Sequence, residues 1–549
     1  METSMERRSF LKGFAAAGAA GAIAGAGLVD VAQAHADEAD DSGDEEDEES
    51  LSAAYDALDA GAIEELEADV VVIGAGPSGM SAAVTAAREG LSVIVLEKTS
   101  AAGGCAKYGM GPLAIGTKYQ EEAGYDYDVD EMFAEFTEYT HFRTNVPLVR
   151  EYFDRSNETI EWLEDMGITF DEAAKYFEKS YATWHLVHSE EGVSGGGQAK
   201  TMTDHLLSTA EELGVVFYYE EPACKIELTD GAVSGVCATS ADETSGLHVT
   251  TGAAVVASGG FGNNAEMVAE QFGLTLDEDF FGMRFSGHEG DGLKMVWEVG
   301  GAQDVMIEEN IFNVYRQDTV GSYTYDVLLV SLQPNLLVNK QGERFYNEEQ
   351  VQNTTFTGNS LLRQAGNTGF MIYDADIKQG YVDANEVPFT SKVGQVSDYS
   401  GFDENFAAME ESGYDAIVCA DTLEELAEKL GIDAEGLAAT VEEYNQLCAD
   451  GYDPFGKSAE YLQPIQTAPF YGAQFYPSSY GTLGGIKVNA ELEVLDEEGN
   501  AIPGLFSCGT DSCTIYGDSY NFLMPGNTMG YSVNSGRFAG ESVVAYLGA

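Results

Sequence analysis

Residues 516–530 read YGDSYNFLMPGNTMG: aromatic side chains, a proline–glycine pair, one acid and no base. Glycine-rich loops of this kind near a C-terminus lie against ligands. The residue types admit two grips, an anion held by backbone amides or a neutral carbonyl held by hydroxyl and amide donors. A second chemical signal lies at the other end of the chain. Gly74, Gly76 and Gly79 form G-x-G-x-x-G, and Glu97 follows Gly76 by 21 residues. This spacing suits a dinucleotide: Gly74 for a tight turn, Gly76 for approach of a pyrophosphate, Gly79 for helix packing, and Glu97 for ribose hydroxyls.

The elements that must position these residues are legible around them. ADVVVIGAGPSGMSAAVTAAREGLSVIVLEK (68–98) reads as strand, glycine turn, helix and strand. Pro77 and Ser78 open the helix, whose N-terminus stabilises phosphate charge. An acid at 97, beside Lys98, suits an adenosine ribose without a 2′-phosphate. Three further glycine-rich stretches follow: GGCAKYGMGP (103–112), VVASGGFGNN (255–264) and PGLFSCGTD (503–511), with GDG at 290–292. MGYSVNSGRFAGES (529–542) reads as a closing helix.

These stretches, in this order, resemble the flavoprotein family of fumarate reductase, succinate dehydrogenase and 3-ketosteroid dehydrogenases, over about residues 68–549. The resemblance implies an α/β fold: a Rossmann-like FAD-binding domain at 68–305 and 480–549, with an inserted α+β capping domain at 306–479. It implies FAD contacts from Gly103, Gly104, Cys105, Gly109 and Gly111 in the second stretch. Ala257, Ser258, Gly259, Gly260 and Asp291 follow, then Gly509, Thr510, Asn527 and Thr528. The 103–112 loop holds no His where family members with covalent FAD carry one, which implies noncovalent FAD.

The resemblance also speaks to substrate. The proton-donating arginine of fumarate reductases follows a motif similar to GERFYNE (342–348), and its slot falls at Gln352, which is no general acid at neutral pH. Leu523 stands where the carboxylate-binding arginine precedes the glycine turn, and Gly481 where a histidine is expected. Fumarate is therefore a poor candidate. GTDSCTIYGDSY (509–520) and PFY (469–471) match the ketosteroid dehydrogenase branch better. That likeness implies that Tyr520 donates to a substrate ketone and that an N–H of the Gly526–Asn527 turn completes an oxyanion hole. The tyrosine that this branch uses for proton transfer also falls at Gln352; Tyr346, Tyr516 or Tyr480 are the open substitutes, with Tyr516 also a candidate for the pocket wall. Arg284 and His288, just before GDG, are further candidates for reaching the substrate.

Composition bounds the rest. The 549 residues carry 94 acids against 26 Lys and Arg, a formal charge of −68. Such a field repels nucleic acid and favours cationic partners such as basic redox proteins. Seven cysteines, scattered and with no CxxC or CxxCH, give no haem-attachment or zinc-ribbon motif. Cys508 and Cys513 are spaced closely enough to meet each other or a cluster, although packing as small apolar groups is the commoner role. In WHLVH (184–188), His185 and His188 have helix-compatible metal spacing but no third ligand, and no metal is expected. Residues 422–447 read as a helix pair of the cap.

ERRSFLKG (6–13), the Ala/Gly-rich run to Ala34 and the exit AQAHA resemble a twin-arginine export signal over 1–36, cleaved after Ala34 or Ala36. This implies a periplasmic or cell-surface protein. Residues 37–67 hold fifteen acids and no Lys or Arg, and are expected to form a disordered linker.

The expected enzyme is an exported FAD-dependent oxidoreductase reducing a C=C bond of an α,β-unsaturated, steroid-like or other bulky neutral carbonyl. A membrane cytochrome or quinol-linked partner would supply electrons. The desaturating direction and a non-catalytic flavin electron carrier remain the alternatives.

Overall fold

A computed structural model describes residues 51–314, 324–390, 392 and 396–549. The export signal, its cleavage site and residues 37–50 of the acidic stretch lie outside the described residues.

Hydrophobic four- and five-residue runs build the central sheet. Val70–Ile73 and Val93–Glu97 are buried along their whole length, as expected of strands covered on both faces. The sheet is six-stranded, in the order Glu493–Leu495, Ala501–Ser507, Ala253–Val256, Val70–Ile73, Val93–Glu97, Val216–Tyr219. All neighbours are parallel except the edge pair Glu493–Leu495 and Ala501–Ser507. The chain therefore leaves Ile73, Glu97, Val256 and Ser507 at one edge, where a doubly wound sheet binds its ligand. The separate glycine-rich stretches converge for this reason.

The helix Pro77–Arg88 covers one face of the sheet, and the closing helix Asn527–Leu547 packs on it. At Gly536 an added Cβ would stand 2.1 Å from the Ser78 carbonyl oxygen, so the two helices meet backbone to backbone.

The acidic stretch is corrected at its C-terminal end. Leu51–Asp56 is a helix, and Ile63–Glu67 is a strand paired in parallel with Gly246–Thr250 in a four-stranded sheet. The helix packs Tyr55 against Cys224 and Cys237, while Glu65 meets His248 at 2.6 Å. Apolar residues at 51, 55, 58 and 63 supply the burial that the purely charged segment before them lacks.

The cap has its own core, built on a five-stranded sheet that includes Leu336–Val338, Gly369–Asp374 and Ile417–Ala420. The expected helix pair forms as Leu423–Leu430 and Ala434–Asp450, capped by Thr422 and Asp433. The proposed edges at 306 and 479 fall inside strands, not in linkers. Gln303–Asn313 pairs antiparallel with the 17-residue strand Phe470–Ile486, and this ladder runs from the first core into the second.

Candidate active site

One cavity of about 510 Å³ extends from the G-x-G-x-x-G turn to the C-terminal loop. Its first half is a cradle at the strand ends. Gly74 has φ +104°, and a Cβ there would stand 2.3 Å from the Ala257 carbonyl oxygen. Gly76 is different: an added Cβ would meet nothing within 4 Å, and the residue lines the cavity. Gly76 also caps the helix Pro77–Arg88, so the cavity wall here is a helix N-terminus stripped of side chain.

Glu97 is buried at the end of its strand; it accepts from the Ala75 amide at 2.7 Å and from the Thr99 amide and hydroxyl at 2.8 and 2.7 Å. These bonds fix the carboxylate beside the glycine turn and leave lone pairs for further donors. Lys98 pairs with Asp291 at 2.9 Å, joining two cavity residues 193 positions apart. Cys105 also lines the cavity; burial pushes its thiol up to about 12, so it is no thiolate near neutral pH.

Of the expected cofactor contacts, Gly79, Gly103, Gly260, Gly509 and Asn527 stand behind the lining. Gly79 packs helix on turn, with a notional Cβ 2.0 Å from the Gly74 carbonyl oxygen. Gly103 donates to the Ala75 carbonyl at 2.9 Å, Gly509 to the Ser535 hydroxyl at 2.9 Å, and Gly260 to Asp511 at 2.7 Å.

Asp511 was not among the expected site residues. It is buried, and its carboxylate accepts from the Ser258 amide and hydroxyl and from the Gly259 and Gly260 amides. It stitches the loop after Val256 to the loop after Ser507. Its signal was present, because an acid inside a glycine turn can accept amides that the turn orphans.

The cavity's far half lies under the cap. Tyr520 and Gly526 line it, with Phe522, Tyr176, Trp184, Tyr108 and Phe285. Tyr176 packs edge-on against Phe522 at 4.6 Å, and Tyr108 stacks on Phe285 at 5.6 Å. The cap adds Val314, Leu328, Leu329, Leu332, Val351 and Phe389. Among the described residues no arginine lines the cavity.

The C-terminal loop is held from both sides. Tyr139 donates to the Tyr520 carbonyl at 3.2 Å, Arg143 pairs with Asp518 at 2.9 Å, and Asn359 of the cap donates to the Ser519 hydroxyl at 2.9 Å. Gly526, at φ +81°, caps the closing helix and leaves its first-turn amides free of intrahelical partners. The Tyr520 hydroxyl lies by the Thr528 amide and hydroxyl, and burial pushes its pKa well up.

Facing them is Glu309, also absent from the expectations. It is 7% exposed and lines the cavity together with Tyr520 and Thr528, whose hydroxyls lie near its carboxyl. Burial pushes it up to about 7. A register shift in the ladder, between Glu308↔Thr482 and Asn310↔Ser479, sets Tyr480 and Gly481 against Glu309 alone. Bulges of this kind re-aim side chains beside active sites.

Several expectations are corrected. Tyr516 is fully buried beneath Tyr520, ring centroids 4.8 Å apart, and packs on Phe136 away from the cavity. Tyr346 turns its hydroxyl to Thr357 at 3.1 Å and the Gln350 carbonyl at 3.3 Å, outside the lining. Of the open proton-transfer positions, Gln352 and Tyr480 do line it, and the Gln352 amide donates to the Thr390 carbonyl at 3.2 Å. His288 lines the cavity, its pKa lowered to about 4 by burial and by Lys98, whereas Arg284 is taken by Asp277 at 2.6 Å. His185 and His188 belong to a strand region, not a helix: His185 is buried on Thr117 at 2.6 Å, and His188 is exposed on Asp171 at 2.7 Å. All seven cysteines are free thiols.

The donor set fits FAD. The cradle has the helix N-terminus and carboxylate that an adenine dinucleotide needs. The Thr528 hydroxyl, on a residue that lines the cavity, is buried without a hydrogen-bond partner, a pattern that signals a missing ligand.

Comparison with known proteins agrees. Residues 69–527 match the FAD binding domain family model, and residues 4–24 match the twin-arginine translocation pathway signal sequence. A vinyl phenol reductase of Lactiplantibacillus plantarum is 32% identical over 488 residues, covering 87% of this chain and 96% of that one. A digoxin reductase of Eggerthella lenta is 28% identical, covering 99% and 98%. The 3-ketosteroid-Δ4-(5α)-dehydrogenase structure from Rhodococcus jostii RHA1 aligns with a TM-score of 0.68 at 25% identity, over 87% of this chain and 97% of that one. The chain belongs to the FAD binding domain family of flavoproteins. It is an FAD-dependent oxidoreductase acting on CH–CH and C=C groups, and it carries a twin-arginine export signal.

Proposed function

We propose that this chain reduces the C=C bond of a bulky, neutral α,β-unsaturated carbonyl compound. The observation that carries this reading is the meeting of Tyr520, Thr528 and Glu309 in an aromatic cavity continuous with the dinucleotide cradle and lined by no arginine among the described residues. Vinyl phenol and digoxin reductases among the relatives support the reductive direction.

Reduced FAD, when bound, supplies the hydride. Gly74–Ser78, Glu97 and the loops braced by Asp511 hold the cofactor. The absence of a histidine in the 103–112 loop and the neutral Cys105 thiol support noncovalent binding, so acid precipitation should release all the flavin. Tyr520 donates to the substrate oxygen as negative charge builds there, and the aromatic wall excludes water and orients the rings. The β-carbon takes the hydride, the π pair moves to the oxygen, and the α-carbon takes a proton that comes ultimately from solvent. Two electrons and two protons are added in all.

Electrons are proposed to come from a membrane cytochrome or quinol-linked donor, with the protein periplasmic or at the cell surface. The export signal takes the chain away from cytoplasmic NAD(P)H, and 94 acids against 26 Lys and Arg suit a basic partner. Electron transfer from a basic cytochrome should then slow as salt rises; salt-independent rates would argue for another donor.

The test is anaerobic reoxidation of the chemically reduced holoenzyme, mixed separately with a ketosteroid enone, a vinyl phenol, a cinnamate-type acid and fumarate. Rapid reoxidation by the enone supports the proposal. Reoxidation only by the vinyl phenol or only by the acids overturns it.

A further inference from the structure

We propose that Glu309 acts as a neutral carboxylic acid that pairs with Tyr520 as a second hydrogen-bond donor to the substrate's carbonyl oxygen. This rests on the enone reading above and adds a catalytic residue to it.

Position is the first argument. The extra residue in the facing strand leaves Glu309 opposed by both Tyr480 and Gly481, and Glu309 lines the same cavity as Tyr520 and Thr528. The company it keeps is the second. Cys105 and Tyr520 line the same cavity as Glu309, while Cys513 and Tyr516 lie buried behind that wall, within electrostatic reach of it. Burial pushes all four upward, so each is neutral at pH 7 and none offers positive charge. Among the described residues, the lysines that line the cavity are engaged elsewhere: Lys98 with Asp291 at 2.9 Å, and Lys107 over the Tyr108 ring at 5.1 Å. Among the described residues no Lys, Arg or His pairs with Glu309. A buried carboxylate without a counter-charge takes up a proton, and its acid form then has one O–H to give.

Two donors on one oxygen suit an enone. As the β-carbon takes the hydride, the π pair moves onto the oxygen, where both O–H groups meet it. When the α-carbon takes its proton, the oxygen returns to carbonyl. Glu309 and Tyr520 end with the protons they began with. A phenol beside a buried carboxylic acid is an effective enolate-stabilising pair in other folds.

The experiment uses the FAD-loaded enzyme and two variants, Glu309→Gln and Glu309→Ala. Gln keeps an N–H donor but cannot titrate, whereas Ala keeps neither. Infrared difference spectra of wild type against Glu309→Gln should show a protonated carboxyl band at about pH 5.5 that fades at about pH 8.5. The wild-type kcat/KM for a ketosteroid enone should fall as pH rises past about 7, and Glu309→Gln should lose that fall. Gln should stay within about tenfold of wild type and Ala should drop by about a hundredfold. The proposal is overturned if the acid band is missing at about pH 5.5. It is also overturned if Gln is as damaging as Ala while wild-type activity rises with pH, which is the behaviour of a carboxylate accepting a phenolic proton. A wild type that shows the acid band but reduces a vinyl phenol and no enone defeats the enone reading, and the donor role with it, but not the protonation state.

Discussion

The carboxylate of Asp511 receives the Gly260 amide at 2.7 Å, across 251 residues of chain, and this bond ties together the loops that follow two adjacent parallel strands. Asp511→Asn would place an N–H₂ donor against amides that need an acceptor. A mismatched buried donor costs about 1–3 kcal/mol. We expect a lower Tm and a purified protein with substoichiometric flavin, read by calorimetry and by the ratio of flavin to protein absorbance. Full flavin content with an unchanged Tm would show the brace to be dispensable.

Tyr520→Phe removes the hydroxyl and little else. If the hydroxyl stabilises developing charge, turnover should fall by about a hundredfold or more, corresponding to roughly 3 kcal/mol, with FAD content and chemical reduction unchanged. Equal rates for variant and wild type would point to a carrier with no chemistry of its own.

The FAD half of the molecule was readable because its chemistry lies in backbone shape. Gly74, Gly76 and Gly79 are needed whatever surrounds them, and parallel strands brought the distant glycine runs together. Orientation was not readable. Tyr516 and Tyr520 are four residues apart in one loop, yet one is sealed in the core and the other lines the cavity. Glu308 and Glu309 look equivalent in MIEENIF, because both sit in a strand buried on both faces. Which of them meets the cavity depends on a ladder partner more than 170 residues away. The segment 51–67 was unreadable for a different reason: acids dominate its composition, and its sparse apolar residues gain burial only against Cys224, Cys237 and the distant strand Gly246–Thr250.

Gly76 should separate binding from folding. Gly76→Val places methyl groups in open cavity, since an added Cβ there meets no atom within 4 Å. The apo-protein's Tm should change little, while FAD affinity measured by fluorescence quenching falls by at least tenfold. Unaltered affinity would mean that the cofactor does not approach this turn.

Glu308 predicts a pH slope in stability. Burial pushes its pKa up to about 8, against an ordinary value of 4.5. The folded state therefore holds a proton that the unfolded chain releases. This contribution is complete below the unfolded pKa of 4.5 and is lost as pH rises through about 8, on the order of 5 kcal/mol at most. Glu308→Gln should reduce the loss of Tm between about pH 5 and about pH 9. Parallel profiles for the two proteins would place Glu308 in contact with solvent.

The strand Phe470–Ile486 gives the cap a mechanical character of its own. The lid is not hung on slack tethers; a continuous paired ribbon is built into both bodies, so opening must flex that ribbon. An extra residue bends an antiparallel ribbon and re-aims its side chains, and one of the two register shifts lies at Glu309 itself. The position of Glu309 in the cavity is therefore set by the same ribbon that joins the cap to the cofactor domain.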